Sequence, residues 1–176
     1  CDWSSDVCSS DLVLCTKEII QLAKITDSKI EVNLFYSSEK RKNAISKVLK
    51  KSGAKEILGM DKKQSTKLKG IDSARRIVDK NGIFCADVVL VPLEDGDRTI
   101  ALKKAKKKVI TFDLNPLSRT AQTADVTIVD NVTRAMKLLV SESKKSKRNI
   151  TFDNRKNLKS AILEIRKNLE RRAKNA

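Results

Sequence analysis

Three short apolar runs stand in the middle of the chain, at residues 88–91, 109–112 and 126–129. Each run is rich in β-branched residues and is followed by polar residues that favour turns. Runs of this length and composition are typical of strands that are buried on both faces of a parallel sheet. The pattern therefore predicts an α/β fold, in which ligands bind beyond the carboxyl ends of the strands.

Apolar spacing also predicts the elements before these strands. The pattern indicates a short helix capped by Thr16, a strand over residues 30–36, and a second helix capped by Ser37 or Ser38. Residues 59–82 are polar and basic with three glycines, which predicts a long loop or flap. Its Arg75 and Arg76 are either ligand-binding residues or solvated surface arginines.

The last third of the chain predicts two further helices. Asn131 is a natural N-cap for a helix over residues 132–140, and residues 141–146 form a polar linker. Beyond the linker, apolar residues at helical spacing predict an amphipathic C-terminal helix that packs on the domain or on a second copy. These residues are Leu158, Ala161, Ile162, Ile165 and Leu169.

Composition limits the class of protein. The chain has 176 residues and 40% hydrophobic content, enough for one domain with a core. No apolar run approaches the ~20 residues that span a membrane, and the first residues lack the basic and apolar regions of a secretory signal. We therefore expect a soluble, cytoplasmic protein without a membrane partner.

The net charge of +16 raises the alternative of a basic nucleic-acid-binding protein. Aromatic residues make up only 3% of the chain, whereas proteins that bind single strands stack bases on aromatic side chains. A lysine-rich solvated surface is the better interpretation. The chain has no histidine, which excludes triads built on histidine and argues against a zinc site.

Residues 1–12 differ in composition from the rest of the chain. They include three acids and four serines but no lysine or arginine, and they resemble a translated sequencing adapter. We expect residues 1–12 to be a non-native leader. Residues 13–146 would then form the nucleotide-binding domain, incomplete at its N-terminus, and residues 147–176 the C-terminal helix.

Candidate chemistry begins after the first of the three central strands, in residues 94–99. Asp97 is placed to cap the next helix, but one cap does not explain three acids in four residues beside an arginine. Clustered carboxylates can hold Mg²⁺ or a substrate ammonium group, and Gly96 would allow a ligand to approach the backbone.

The turns after the next two strands carry further candidates. Asp113 follows its strand at roughly the spacing of a ribose-binding acid, and Arg119 lies between two hydroxyl residues in a set suited to phosphate oxygens. Asn131 precedes a helix whose first N–H groups could receive an anion. Neither the dinucleotide glycine fingerprint nor the phosphate-loop motif is present, which disfavours standard dinucleotide enzymes and phosphate-loop ATPases. Turn chemistry remains the alternative explanation for Arg119, and simple capping remains the alternative for Asn131.

Several stretches together resemble the archaeal 4-phosphopantoate–β-alanine ligases, also called phosphopantothenate synthetases. The resemblance covers nearly all of the chain after residue 12. It is carried by Glu31–Tyr36, Ala86–Thr99, Asp113–Ala121, Thr127–Val132 and Phe152–Leu158. It implies a Rossmann-like parallel sheet flanked by helices, with the amphipathic helix at its C-terminus.

The resemblance also implies a reaction. Such ligases join 4-phosphopantoate to β-alanine in coenzyme A biosynthesis, with ATP and Mg²⁺, through an acyl-adenylate that releases diphosphate and then AMP. It implies a homodimer and places ATP contacts on Asp113, Leu114, Asn115, Arg119, Thr120, Asn131 and Val132. We expect a role with phosphopantoate, β-alanine or metal for Glu94, Asp95, Gly96, Asp97, Arg98 and Thr99. No catalytic residue is assigned.

Two departures from the family pattern matter. Ile100 and Lys106 stand where the family commonly has glutamate and glycine, and the family's arginine- and glycine-rich N-terminal segment has no counterpart before Val13. We therefore expect a truncated ligase with weak or no activity. A nucleotide-binding module without chemistry is the main alternative.

Overall fold

A computed structural model describes residues 3–7, 9–71, 73–93, 95–145 and 151–174, with side chains described from residue 14 onward. The strands are β1 (Trp3–Val7), β2 (Lys29–Val32), β3 (Ser65–Lys67), β4 (Ile77–Asp79), β5 (Val88–Val91), β6 (Lys108–Phe112) and β7 (Val126–Ile128). The α-helices are α1 (Ser9–Thr26), α2 (Glu39–Lys51), α3 (Gly96–Lys104), α4 (Arg119–Thr123), α5 (Val132–Ser143) and α6 (Asn154–Lys174).

Five strands form one parallel sheet in the order β2-β1-β5-β6-β7. The predicted α/β fold is confirmed, and the three apolar runs of the sequence are the neighbouring strands β5, β6 and β7. The strand order reverses direction between β1 and β5, the kind of switch point at which doubly wound sheets bind ligands. The strands β3 and β4 form a separate antiparallel pair.

Strand β5 shows why its apolar run is continuous. Val89 and Val91 pack in one apolar cluster with Leu102 and Val109. Leu90 points to the other face, into a cluster that includes Met136. All three β5 residues are at most 2% exposed, as expected for a strand with helices over both faces.

The predicted leader takes part in the sheet. Residues 3–7 form β1, which pairs with β2 on one side and β5 on the other through backbone hydrogen bonds. The helix α1 begins at Ser9 rather than at Thr16, and Cys15 interrupts it with φ −152° and ψ 37°. Because strand pairing uses backbone groups that every non-proline residue carries, a serine-rich segment can occupy a central strand. That this segment is non-native stays a prediction.

The prediction of a long loop or flap over residues 59–82 is wrong in part. This region contains β3, β4 and two short 3₁₀ turns, at Lys62–Gln64 and Ala74–Arg76. Isolated apolar residues anchor it, because Leu68 and Val78 are buried although neither belongs to a periodic pattern. The structure of the region is therefore set by tertiary contacts.

A buried carboxylate ties this region to the sheet. Glu31 of β2 is fully buried, and its two oxygens accept backbone N–H groups of Asp79 at 3.0 Å and Ile83 at 2.7 Å. Desolvation by burial raises the pKa of the Glu31 carboxyl above its ordinary value, even though both hydrogen bonds favour the charged form.

The amphipathic helix α6 is confirmed, although the residues that the structure describes leave most of its apolar face uncovered. Leu158 is buried, whereas Ile162, Ile165 and Leu169 are exposed. Asn154 anchors the start of α6, because its amide donates to the carbonyls of Ala121 at 2.9 Å and Ala124 at 3.0 Å. In the described part of the chain no helix combines the length and the apolar character that crossing a membrane requires.

We predict that Glu31→Gln lowers the free energy of unfolding by about 1–3 kcal/mol at pH 4, because an amide NH₂ replaces one of two acceptor oxygens. The folded pKa of Glu31 is raised, so its contribution is full below the unfolded pKa of about 4.3 and is lost as pH rises through the folded pKa. The cost of the substitution should therefore shrink between pH 4 and pH 7. Urea unfolding at both pH values measures it, and a cost that grows with pH would contradict the raised pKa.

Candidate functional site

The turns after β5, β6 and β7 lie at one edge of the sheet. The register pairs Val91 with Thr111 and Phe112 with Ile128, so the carboxyl ends of the three strands are level. The N–H of Asp113 donates to the Ile128 carbonyl at 3.1 Å, which continues the alignment into the turns. Three helices, α3, α4 and α5, begin at this edge, and they carry the predicted site residues.

The helix α3, which follows the turn after β5, is capped by Asp95 and not, as the sequence predicted, by Asp97. Asp95 has extended backbone angles, and its carboxylate accepts the N–H of Arg98 at 3.1 Å. Asp97 lies in the first turn of α3 with its side chain 74% exposed. The third acid of the cluster, Glu94, lies outside the described residues.

An arginine from the flap explains why Asp95 is the cap. The Arg75 guanidinium forms an ion pair with Asp95, and both side chains are less than one-fifth exposed. It also lies 5.8 Å from the centroid of the Phe35 ring, within the range of a cation–π contact. The amide of Asn33 donates to the backbone carbonyls of Arg75 at 3.2 Å and Ile77 at 2.8 Å. The flap is thereby fixed to the ends of β2 and β5.

Sequence reasoning missed Asn33 and Phe35. Both lie directly after β2, inside the stretch Glu31–Tyr36 that carries part of the family resemblance. No local signal marks Asn33, because it stands in the middle of the strand predicted over residues 30–36. Only the structure, which ends β2 at Val32, places it at the end of a strand on the binding edge.

Two of the residues expected to meet substrate or metal, in the stretch 94–99, face inward. Arg98 is 1% exposed and donates to the side-chain oxygen of Asn33 at 3.4 Å. Thr99 is fully buried, and among the described atoms its hydroxyl has no hydrogen-bond partner. Of the described residues in this set, Asp97 is the one whose side chain is mostly open to solvent.

The turn after β6 is organised by Asp113. Its carboxylate accepts the N–H of Asn115 at 2.8 Å and the hydroxyl of Ser118. The Ser118 hydroxyl in turn accepts the N–H of Ala121 at 2.9 Å and caps α4. Asp113 is 6% exposed, so both of its oxygens are committed to holding the turn. The neighbouring Leu114 is open to solvent, at 68% exposed.

Arg119, the first residue of α4, connects the turn after β6 with the turn after β5. Its Nη2 lies 2.9 Å from Oδ1 of Asp97, and the two side chains are 62% and 74% exposed. The guanidinium lies directly against Gly96, where a Cβ atom would come within 2.5 Å of Arg119 Nε. The glycine expected to admit a ligand therefore admits this arginine.

The turn after β7 is capped as predicted. The side-chain oxygen of Asn131 accepts the N–H of Thr133 at 3.0 Å, and α5 runs on from Val132. Hydrogen bonding from Arg134 lowers the pKa of Asp130, which keeps a carboxylate charged beside this cap. The side chains of Val132 and Thr120 are buried, so each would meet a ligand through its backbone.

The described residues hold no group of three or more histidine, cysteine, aspartate or glutamate side chains placed to bind a metal ion. The described aspartates of this edge instead have separate partners: Asp95 pairs with Arg75, Asp97 with Arg119, Asp113 with Ser118, and Asp130 with Arg134. An ion held here would draw most of its ligands from a bound anion and water, as Mg²⁺ often does.

Comparison with known proteins identifies what this chain is similar to. Residues 7–168 match the family model described as phosphopantothenate/pantothenate synthetase. The chain is 46% identical over 166 residues to the 4-phosphopantoate–β-alanine ligase of Methanosarcina mazei, covering 89% of this chain and 64% of the relative. It is 45% identical over 170 residues to the ligase of the same name from Thermococcus kodakarensis, covering 91% of this chain and 64% of that relative.

We predict that Gly96→Ala moves the Arg119 guanidinium and leaves the free energy of unfolding within about 1 kcal/mol, because alanine suits a helix and the clash is with a flexible side chain. The Nε–H resonance of Arg119 in a ¹H–¹⁵N spectrum reports the movement.

Gly70→Ala is the matched control for Gly96→Ala. Gly70 has φ +86°, so alanine is strained there, while its added Cβ would lie 4.0 Å from Ala101 and away from Arg119. Gly70→Ala should lower stability without shifting the Arg119 signal. An unshifted signal in Gly96→Ala would contradict the close approach.

Proposed function

Because the chain belongs to the phosphopantothenate/pantothenate synthetase family, we propose that it carries the nucleotide-binding part of an ATP-dependent carbon–nitrogen ligase of coenzyme A biosynthesis. The family model matches 7–168, and the chain spans 64% of the length of the curated relatives it matches. The proposed reaction joins 4-phosphopantoate to β-alanine.

The chemistry requires positive charge at a defined place. A carboxylate resists attack by an amine, so the pantoate carboxylate first attacks the α-phosphorus of ATP and diphosphate leaves. The β-alanine amine then attacks the acyl carbon, the acyl–phosphate bond breaks, and AMP leaves. Negative charge gathers on the phosphate oxygens in the first step, where arginine donors would lower the barrier, as would Mg²⁺ if bound with the triphosphate.

One observation supports this proposal above the others: Arg119 lies between the turns after β5 and β6. Its guanidinium contacts Asp97 and Gly96 of one turn while its backbone begins the helix of the other. A cation in this place is within reach of a phosphate on the β6 side and a second substrate on the β5 side. We propose ATP contacts at Asp113, Leu114, Asn115, Arg119, Thr120, Asn131 and Val132.

Within the proposed ATP contacts, the turn after β6 offers the features that best suit a nucleotide. Asp113 and Ser118 shape the turn, and the exposed Leu114 offers apolar surface for a base. The residues Glu94–Thr99 would contact phosphopantoate or β-alanine. Mg²⁺ would arrive with the triphosphate and needs only one or two protein carboxylates.

We propose a cytoplasmic homodimer. The support is the uncovered apolar face of α6, where Ile162, Ile165 and Leu169 are exposed over more than one helical turn. Exposed apolar patches of this kind mark interaction surfaces.

A nucleotide-binding module without chemistry is the second candidate, because the described aspartates of the turns after β5 and β6 are already engaged by Arg75, Arg119 and Ser118. The decisive experiment incubates the chain with ATP, Mg²⁺, 4-phosphopantoate and β-alanine and measures AMP. Release that requires both 4-phosphopantoate and β-alanine supports the ligase. ATP binding without AMP release supports the module, and no ATP binding contradicts both.

We predict that Arg119→Ala weakens ATP binding roughly ten- to hundredfold, the range expected when a charged hydrogen bond to phosphate is lost. Calorimetry measures the change.

Arg166→Ala is the control for Arg119→Ala. Arg166 is exposed and pairs with Glu170 on α6, so its loss should leave ATP affinity unchanged. Equal affinities for the two variants would show that Arg119 does not contact the nucleotide.

A further inference from the structure

The ion pair between Asp97 and Arg119 is the feature that carries a further inference. We propose that Asp97 is an internal competitor for the nucleotide phosphate: it occupies Arg119 in the free protein and is displaced when ATP binds. This rests on the proposed function, because it takes Arg119 to be a phosphate ligand.

The geometry places the carboxylate where it obstructs an anion. Arg119 Nη2 lies 2.9 Å from Asp97 Oδ1, and Nε is the atom nearest to the position that a Cβ of Gly96 would occupy. Nη2 takes part in both bidentate arrangements that arginine offers to an oxyanion, side-on with Nε and end-on with Nη1. A phosphate that binds Arg119 bidentately therefore meets the Asp97 carboxylate, and like charges repel.

The exposure of the pair makes the exchange possible. Both side chains are more than half exposed, so neither is locked by packing. Exposed ion pairs are weak, because water screens them and ordering two side chains costs entropy. A multiply charged phosphate offers Arg119 a stronger partner than one carboxylate.

The two other described carboxylates in the turns after β5 and β6 cannot act in the same way. Asp95 is mostly buried and caps α3 while it pairs with Arg75. Asp113 is buried and bonded to Ser118. Among the described acids of the turns after β5 and β6, Asp97 alone combines an exposed side chain with a direct contact to Arg119.

Asp97→Asn tests the proposal, because the competition predicts that this substitution increases ATP affinity. Removing a competitor should tighten ATP binding roughly two- to fivefold, the range that an exposed ion pair represents. If Asp97 instead held Mg²⁺ or a substrate group, the same substitution would weaken binding. Asp97 is 74% exposed, so the near-isosteric asparagine does not threaten folding.

A double-mutant cycle separates competition from a general charge effect. ATP affinity is measured by calorimetry, with and without Mg²⁺, for the wild type, Asp97→Asn, Arg119→Ala and the double variant. Asp97→Asn should tighten binding in the wild-type background and have no effect when Arg119 is alanine. Glu170→Gln, which removes the acid of another exposed arginine pair, is the control and should change nothing.

Each other outcome counts against a named claim. Weaker binding in Asp97→Asn, or tighter binding that persists without Arg119, overturns the competition. Unchanged ATP affinity in Asp97→Asn also overturns the competition, but it does not count against the nucleotide site. Equal ATP affinity of wild type and Arg119→Ala overturns the proposed role of Arg119 itself, and the competition with it.

Discussion

The hydrogen-bond register of β5, β6 and β7 is the constraint on which the site depends. It makes the three strands end level, with Val91 opposite Thr111 and Phe112 opposite Ile128. A slip of one residue in β6 would exchange the faces of Thr111 and Phe112. The Thr111 hydroxyl would then lose its hydrogen bond to the Val91 carbonyl, and Phe112 would leave the apolar cluster that it shares with Leu90 and Met136. The core that fixes the register therefore also brings the three polar turns together.

Several polar side chains at this edge accept hydrogen bonds from backbone N–H groups at the starts of helices. Asp95, Ser118 and Asn131 each cap a helix, because the first N–H groups of a helix have no partner within it. The residue types that a phosphate or ammonium ligand requires are the same types that caps require. After the caps and the Asp113 turn are accounted for, the exposed charges that contact each other across two turns are Asp97 and Arg119.

The other side of the site is held by a region that has little regular structure. Glu31 accepts the backbone N–H groups of Asp79 and Ile83. Asn33 donates to the backbone carbonyls of Arg75 and Ile77 in the same region. Burial of the Glu31 carboxyl raises its pKa, so this tie is held against a desolvation penalty. It places Arg75 beside Asp95, which in turn decides where α3 begins.

The sequence by itself determined the strands β5, β6 and β7, the cap at Asn131, the helix α6 and the family, because each depends on local periodicity, turn chemistry or a long shared stretch. It narrowed the cap of α2 to Ser37 or Ser38, and the structure selects Ser38. It identified Arg119 and the acids after β5 as candidates but assigned the cap to Asp97. Only the tertiary structure selected Asp95, since the choice depends on Arg75, which lies 20 residues earlier. Likewise, the ordering of the flap and the approach of Arg119 to Gly96 depend on contacts between distant segments, for which no local pattern exists.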